Sequence, residues 1–186
     1  MMKRITMAMV SMLMLAGCAG SVNGQVGGVS LNVSDAIFAI LKDNSGKSTS
    51  LLVVMGDKPK ICDSFKANRE PKQSTALFFA MARYSDNGDV LAPDVGEYSV
   101  IDGIPSKGGN YASSSFTRTD ANCTNTLSGS TSGAKSGLIK ITNLKGEANG
   151  AANATFDVTF GSGDKVTGNF NATYCDISQV QNLNCE

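Results

Sequence analysis

The chain contains no histidine and no tryptophan in its 186 residues. Without histidine it lacks the commonest general base and the commonest metal ligand near neutral pH. Without tryptophan it lacks the best flat surface for stacking sugars and cations. Charge is also scarce, at 17% of residues, and sixteen basic side chains balance sixteen acidic ones. That balance leaves neither a basic surplus to draw in nucleic acid nor an acidic run to act as a tail. The apolar stretch from Ile5 to Leu15 is too short to cross a bilayer as a helix. The length suits one domain. Twenty glycines with few charges favour a β-rich exported domain over a helical one.

The N-terminus carries the most specific pattern. Lys3 and Arg4 form a positive head, an apolar segment runs to Leu15, and Ala16, Gly17 and Cys18 follow. That order is a secretory signal peptide. The tetrad Leu15-Ala16-Gly17-Cys18 resembles the lipobox of bacterial lipoproteins, in which small residues admit the peptidase and the cysteine thiol takes a diacylglycerol. The resemblance implies residues 1–17 as the signal, Cys18 as the lipidated residue, and anchoring by two or more acyl chains, palmitate among them. Ala19 stands where an Asp would resemble an inner-membrane retention signal, so the implied address is the outer membrane, with the leaflet open. Removing residues 1–17 takes away Lys3 and Arg4 and no acid. Residues 18–28 are small and polar beyond Cys18 and read as the anchor and a flexible tether. Residues 29–186 read as a single β domain.

Four cysteines remain: Cys62, Cys123, Cys175 and Cys185. An even count in an exported chain reads as two disulfides, with three possible connectivities. Cys175 and Cys185 enclose a short loop and would pin the tail, which leaves Cys62 with Cys123. Zinc is the competing use, but no C-x-x-C pair and no histidine support it, and no cofactor is expected.

The body reads as strands. Val29 to Val33 alternates apolar and polar residues, and the apolar run Ala36 to Leu41 continues it through a bulge near Asp35. Asp43-Asn44-Ser45-Gly46 turns the chain into Leu51–Met55. Residues 57–74 look like an irregular excursion. Thr75 to Tyr84 could be a buried strand or part of a helix, and the Asp86-Asn87-Gly88 turn after it favours a strand. Further strands are expected at Glu97–Ile101, Tyr111–Thr117, Gly137–Leu144, Ala154–Phe160 and Lys165–Cys175. In the last two, Phe156, Val158, Phe160, Val166, Phe170, Ala172 and Tyr174 point one way and polar residues the other. The last three strands make an antiparallel meander with one wet face. About eight strands at this spacing predict an all-β fold, an antiparallel sandwich or a small barrel.

Phe156 to Asp164, with Gly168-Asn169-Phe170-Asn171-Ala172 running into Cys175, resembles the C-terminal halves of uncharacterised small β-rich lipoproteins of Gram-negative bacteria. The resemblance covers about a quarter of the chain. It implies the lipoprotein class and the all-β fold, and it brings no active site to transfer.

The remaining motifs favour structure over chemistry. Gly46-Lys47-Ser48 ends like a phosphate loop, but Leu41 holds the place of the first glycine and strands flank the turn. Asp86, Asp89, Asp94, Glu97 and Asp102 could supply a carboxylate pair for glycoside hydrolysis or a weak calcium site, yet turns favour Asp for its own backbone bonds. Ser106-Lys107 and Lys135-Ser136 are adjacent pairs in Gly/Ser-rich loops rather than a nucleophile with its base. Asn-x-Ser/Thr at Asn32, Asn122, Asn153 and Asn171 reflects strand composition. The expected protein is therefore no enzyme but a lipid-anchored interaction or structural module. It would join the membrane through its N-terminus and partner another envelope protein, without nucleic acid. A second reading is a carrier of a small apolar molecule, with Phe156, Phe160, Phe170 and Tyr174 lining a hollow barrel.

Overall fold

Period-two alternation from Gly137 onward becomes a hydrogen-bonded meander in the computed structural model, which describes residues 19–127, 129–177 and 183–185. Residues 1–17, expected as a signal peptide, and Cys18 lie outside the described residues. Strands run in chain order as β1 (Gly20–Asn23), β2 (Asp35–Lys42), β3 (Ser48–Gly56), β4 (Arg69–Glu70), β5 (Thr75–Tyr84), β6 (Val90–Leu91), β7 (Gly96–Ile101) and β8 (Gly109–Arg118), then β9 (Ala134–Leu144), β10 (Ala151–Phe160), β11 (Lys165–Tyr174) and β12 (Asn184–Cys185). Two helical pieces, α1 (Ile61–Lys66) and α2 (Gly129–Ser132), interrupt them.

The fold is all-β, a closed eight-stranded barrel of mixed direction with extra strands. Around the barrel the order is β11-β10-β9-β7-β8-β5-β3-β2. It closes where β11 meets β2 in parallel, Thr173 opposite Ile37 and Tyr174 opposite Phe38. Closure removes the exposed edges that an open sheet would leave. The ambiguous segment Thr75–Tyr84 is a strand throughout and pairs with β3 and β8. The Asp86-Asn87-Gly88 turn returns it into β6, with the Ser85 N–H donating to the Asp89 carbonyl at 2.9 Å.

Two layers of apolar residues explain the continuous apolar runs. Ala36 and Phe38, Leu51, Val53 and Met55, and Leu77, Phe79 and Met81 point inward to the main core. Their neighbours Ile37, Ala39, Val54 and Phe78 point outward, where a second cluster with Ile61, Phe65 and Ile177 covers them. Strands covered on both faces need apolar residues on both. The excursion at 57–74 supplies that cover through α1. The Ile61 N–H at the start of α1 donates to Asp35 Oδ2 at 2.9 Å, satisfying a group that a short helix leaves open.

Both disulfides form, with a connectivity that corrects the expected one. Cys62 bonds Cys175, and Cys123 bonds Cys185. The parallel β11–β2 contact carries Cys175 onto the outer face beneath α1, its N–H donating to the Phe38 carbonyl at 2.8 Å. The tail then crosses back and pairs β12 with β4 in parallel, which sets Cys185 beside the loop holding Cys123. Nearness along the chain suggested a local loop. Pairing across the barrel overrides it.

A second correction concerns residues 20–33. The stretch 20–28, expected as a tether, is built into the barrel, because β1 pairs antiparallel with β11 over Gly20↔Phe170 to Asn23↔Thr167. The strand expected at Val29–Val33 is absent; Val29 makes only an isolated bridge to Val26. Gly27 and Gly28 sit at φ of 57° and 79°, the left-handed pair that a tight two-residue hairpin requires. The segment folds over one end of the barrel and sends Val26 and Leu31, 0% and 2% exposed, into the core.

Candidate functional site

The interior holds the aromatic residues that the carrier reading would place around an empty space. Phe79 lies 5.0 Å from Phe156 and 6.1 Å from Phe170 between ring centroids. Phe116 meets Phe160 edge-on at 6.2 Å, and Tyr174 meets Phe38 at 5.5 Å. Phe156, Phe160 and Phe170 are buried, while Tyr174 is half-buried. These distances are those of direct ring packing, so each of the four rings meets another: Phe156 and Phe170 share Phe79, Phe160 meets Phe116 and Tyr174 meets Phe38. Tyr98 is also buried, and its hydroxyl donates to the Asp94 carbonyl at 2.7 Å. Burial pushes the phenol pKa above its ordinary value.

The expected carboxylate cluster is divided. Asp94 sits 3.4 Å from Arg83, Glu97 3.3 Å from Lys140, and Asp102 pairs with Lys135. These three carboxylates each meet a different cation, half-buried Arg83 or exposed Lys140 and Lys135, and such surface pairs are worth little to stability. Among the described residues, no three His, Cys, Asp or Glu side chains come together as a metal site. Lys135 is held by Asp102 and not by Ser136. Ser106 and Lys107 line an open cleft with Tyr84, Asp86 and Ile104. Ile104 itself is 95% exposed. The Gly46-Lys47-Ser48 turn folds around Asp43, whose carboxylate accepts the backbone N–H groups of Ser45 and Lys47. The Ser45 hydroxyl and these backbone bonds hold that carboxyl below its ordinary pKa, the hydroxyl contributing most. An internal acceptor therefore occupies the loop amides that a phosphate would need.

A small apolar pocket lies on the outer face, between β3, β5 and the excursion. Val54, Ile61, Phe65, Phe78 and Leu183 line it, with room for about 50 Å³. That volume suits a few waters or one small side chain. The sequence hinted at it through the apolar runs of β3 and β5, but Leu183 arrives only because the tail crosses to β4.

No protein-family model, curated protein or solved structure matches the chain.

The element that sequence reasoning missed is the N-terminal wall and its cap. The Asn171 N–H donates to the Ala19 carbonyl at 2.9 Å, so pairing begins one residue after Cys18. Ala19 and Val22 pack against the main core. Gly20, at φ 142°, lies so close to the Asn169 carbonyl and Phe170 Cα that a side chain there has no room. Gly168 performs the matching role on β11, where a Cβ would strike the Ser21 carbonyl and the Phe156 ring. A visible signal did exist. Val22, Val26, Val29 and Leu31 are apolar, which a free tether does not need.

The cap is fastened to the barrel by Asp164, whose Oδ2 accepts the Gly27 N–H at 2.8 Å. That bond first, and the Ser162 side chain second, hold the Asp164 carboxyl below its ordinary pKa. A lowered folded pKa stabilises the fold above the unfolded carboxylate value, about 3.9. The contribution disappears as pH falls through the folded value. Asp164→Asn is therefore expected to speed amide exchange at Gly27 and Val26 at neutral pH while leaving β9 and β10 unchanged. The wild type should show the same local opening only below about pH 4. Uniform protection of the cap in both proteins would show that Val26 and Leu31 hold it without the carboxylate.

Proposed function

We propose that this protein is a lipid-anchored outer-membrane lipoprotein whose barrel serves as a non-enzymatic interaction or structural module for another envelope protein. The single observation that carries the reading is the lipobox Leu15-Ala16-Gly17-Cys18, which ends one residue before the folded barrel begins. Two disulfides agree with an oxidising compartment beyond the cytoplasm. The division of the candidate carboxylates among separate cations gives no reason to assign a hydrolytic reaction. The carrier reading keeps the barrel architecture in its favour, but the ring contacts in the interior leave it the weaker of the two.

Labelling in cells with an alkyne-bearing fatty acid, followed by mass measurement of the N-terminal peptide, tests the anchor. The expected product begins at Cys18 and carries a diacylglycerol and an amide-linked chain. Cys18→Ser should remove the label completely and release the protein from the membrane fraction. An unmodified N-terminus in the wild type would overturn the proposal. For the module, crosslinking in the intact envelope should return one reproducible partner polypeptide.

A further inference from the structure

We infer that the anchored protein has no tether and that its β1–β11–β10 wall is held against the lipid headgroups, a conclusion that rests on Cys18 being lipidated. The tether reading of residues 20–28 predicts a flexible reach of about 15–18 Å for nine residues. The structure removes that reach. Gly20 to Asn23 form β1, Ala19 is hydrogen-bonded to Asn171, and residues 26–31 cap the barrel. Only the Cys18–Ala19 link, about 3.8 Å between Cα atoms, remains between lipid and wall.

The attachment point is also defined along the wall. β1 and β2 occupy the same edge of β11 in succession, β1 opposite residues 167–170 and β2 opposite Thr173 and Tyr174. With Ala19 bonded at Asn171, the edge has space for about one more residue before Ile37 of β2 takes it. A chain continuing toward its N-terminus must leave the sheet at this seam. Cleavage before Cys18 therefore places the lipid where the edge runs out.

The surface around the seam suits a headgroup layer. Near the seam, outward side chains on β1, on β11 from Asn169 to Thr173 and on the adjoining half of β10 are uncharged and hydrogen-bonding: Ser21, Asn169, Asn171, Thr173, Asn153 and Thr155. Asn169 donates to Ser21 at 2.9 Å and Asn153 to Asn171 at 3.0 Å, so this face is ordered. The charged pair Lys165–Asp157 lies toward the other end of the same strands. A wall without net charge neither repels anionic phosphates nor loses a solvated ion on approach. The opposite wall is β8, four strands around the ring, and it would face away.

The test uses the processed, lipidated protein in phosphatidylethanolamine–phosphatidylglycerol vesicles carrying a headgroup nitroxide lipid. A fluorophore is placed through Thr173→Cys on the inferred contact wall or through Ser113→Cys on β8. Quenching at position 173 is expected to exceed that at 113 several-fold. A nine-residue Gly/Ser insertion between Cys18 and Ala19 should make the two equal, because it restores a tether without touching β1. Equal quenching without the insertion would overturn the orientation. The lipid and the seating of β1 are read separately. An N-terminal mass without lipid refutes the anchor, and with it the orientation. Rapid exchange of the Asn171 amide in soluble Cys18→Ser protein refutes the seated strand even if the lipid is present.

Discussion

Replacing Cys62 and Cys175 together by serine is expected to lower stability by about 4 kcal/mol, and Tm by roughly 10–15 °C for a domain of this size. The bond joins residues 113 apart in sequence. Its loop holds most of the barrel, from α1 to the end of β11, so the oxidised unfolded chain loses much of its freedom. In the native state both ends sit against the ordered outer cluster of Ile37, Val54, Ile61 and Ile177. The second bond closes a loop of the same order, Cys123 to Cys185 at a separation of 62. Its removal should matter less. Among the described residues the Cys185 end is held by two strand-paired residues, Asn184 and Cys185, and both are exposed. Without the bond the tail gains freedom in the folded protein as well as the unfolded one, and the two gains offset each other. Urea unfolding of the two double variants tests this order. A larger loss from the Cys123–Cys185 pair would mean that the tail, and not the β11–β2 seam, organises the outer layer.

Phe79→Ala should cost about 3–5 kcal/mol, a large share of the 5–15 kcal/mol that stabilises an ordinary domain. Phe79 is 0% exposed and sits where the rings of Phe156 and Phe170 converge. It links β5 on one side of the barrel to β10 and β11 on the other, so truncation opens a void that the meander alone cannot refill. Phe78→Ala on the same strand is the control. Phe78 points outward, is half-buried beside α1, and should cost about 1–2 kcal/mol. Thermal unfolding of both variants reads the difference. If the outward residue proved the more costly, the inward assignment of β5 would be wrong.

Strands were legible where the local pattern was complete. Thr155, Asp157, Asn169 and Asn171 alternate with Phe156, Val158, Phe170 and Ala172, and a period of two leaves one arrangement that buries the apolar set. The Asp86-Asn87-Gly88 turn resolved the ambiguous segment before it for the same reason. The runs Ala36–Leu41 and Leu51–Met55 announced strands without saying what covered their second face. That cover is α1, whose helical character residues 57–74 conceal behind Pro59, Pro71 and Lys60 at a left-handed φ of 60°. Asp86 to Asp102 looked like a cluster because they are close in sequence. In the barrel Asp94, Glu97 and Asp102 instead each meet a different cation, Arg83 on β5 or Lys140 and Lys135 on β9.

By itself the sequence determined the all-β class, most strand positions and the two-disulfide count. The class and the strand positions are local patterns, set by residues within a few positions of one another, and the disulfide count follows from the even number of cysteines beyond Cys18. Tertiary structure decided barrel closure, the Cys62–Cys175 and Cys123–Cys185 pairings, and the conversion of Gly20–Asn23 from apparent tether to strand. These choices depend on contacts between distant segments. A Gly/Ser/Asn stretch has no strong preference of its own, and it became a strand because β11 left an edge unpaired just where Gly168 allows close approach.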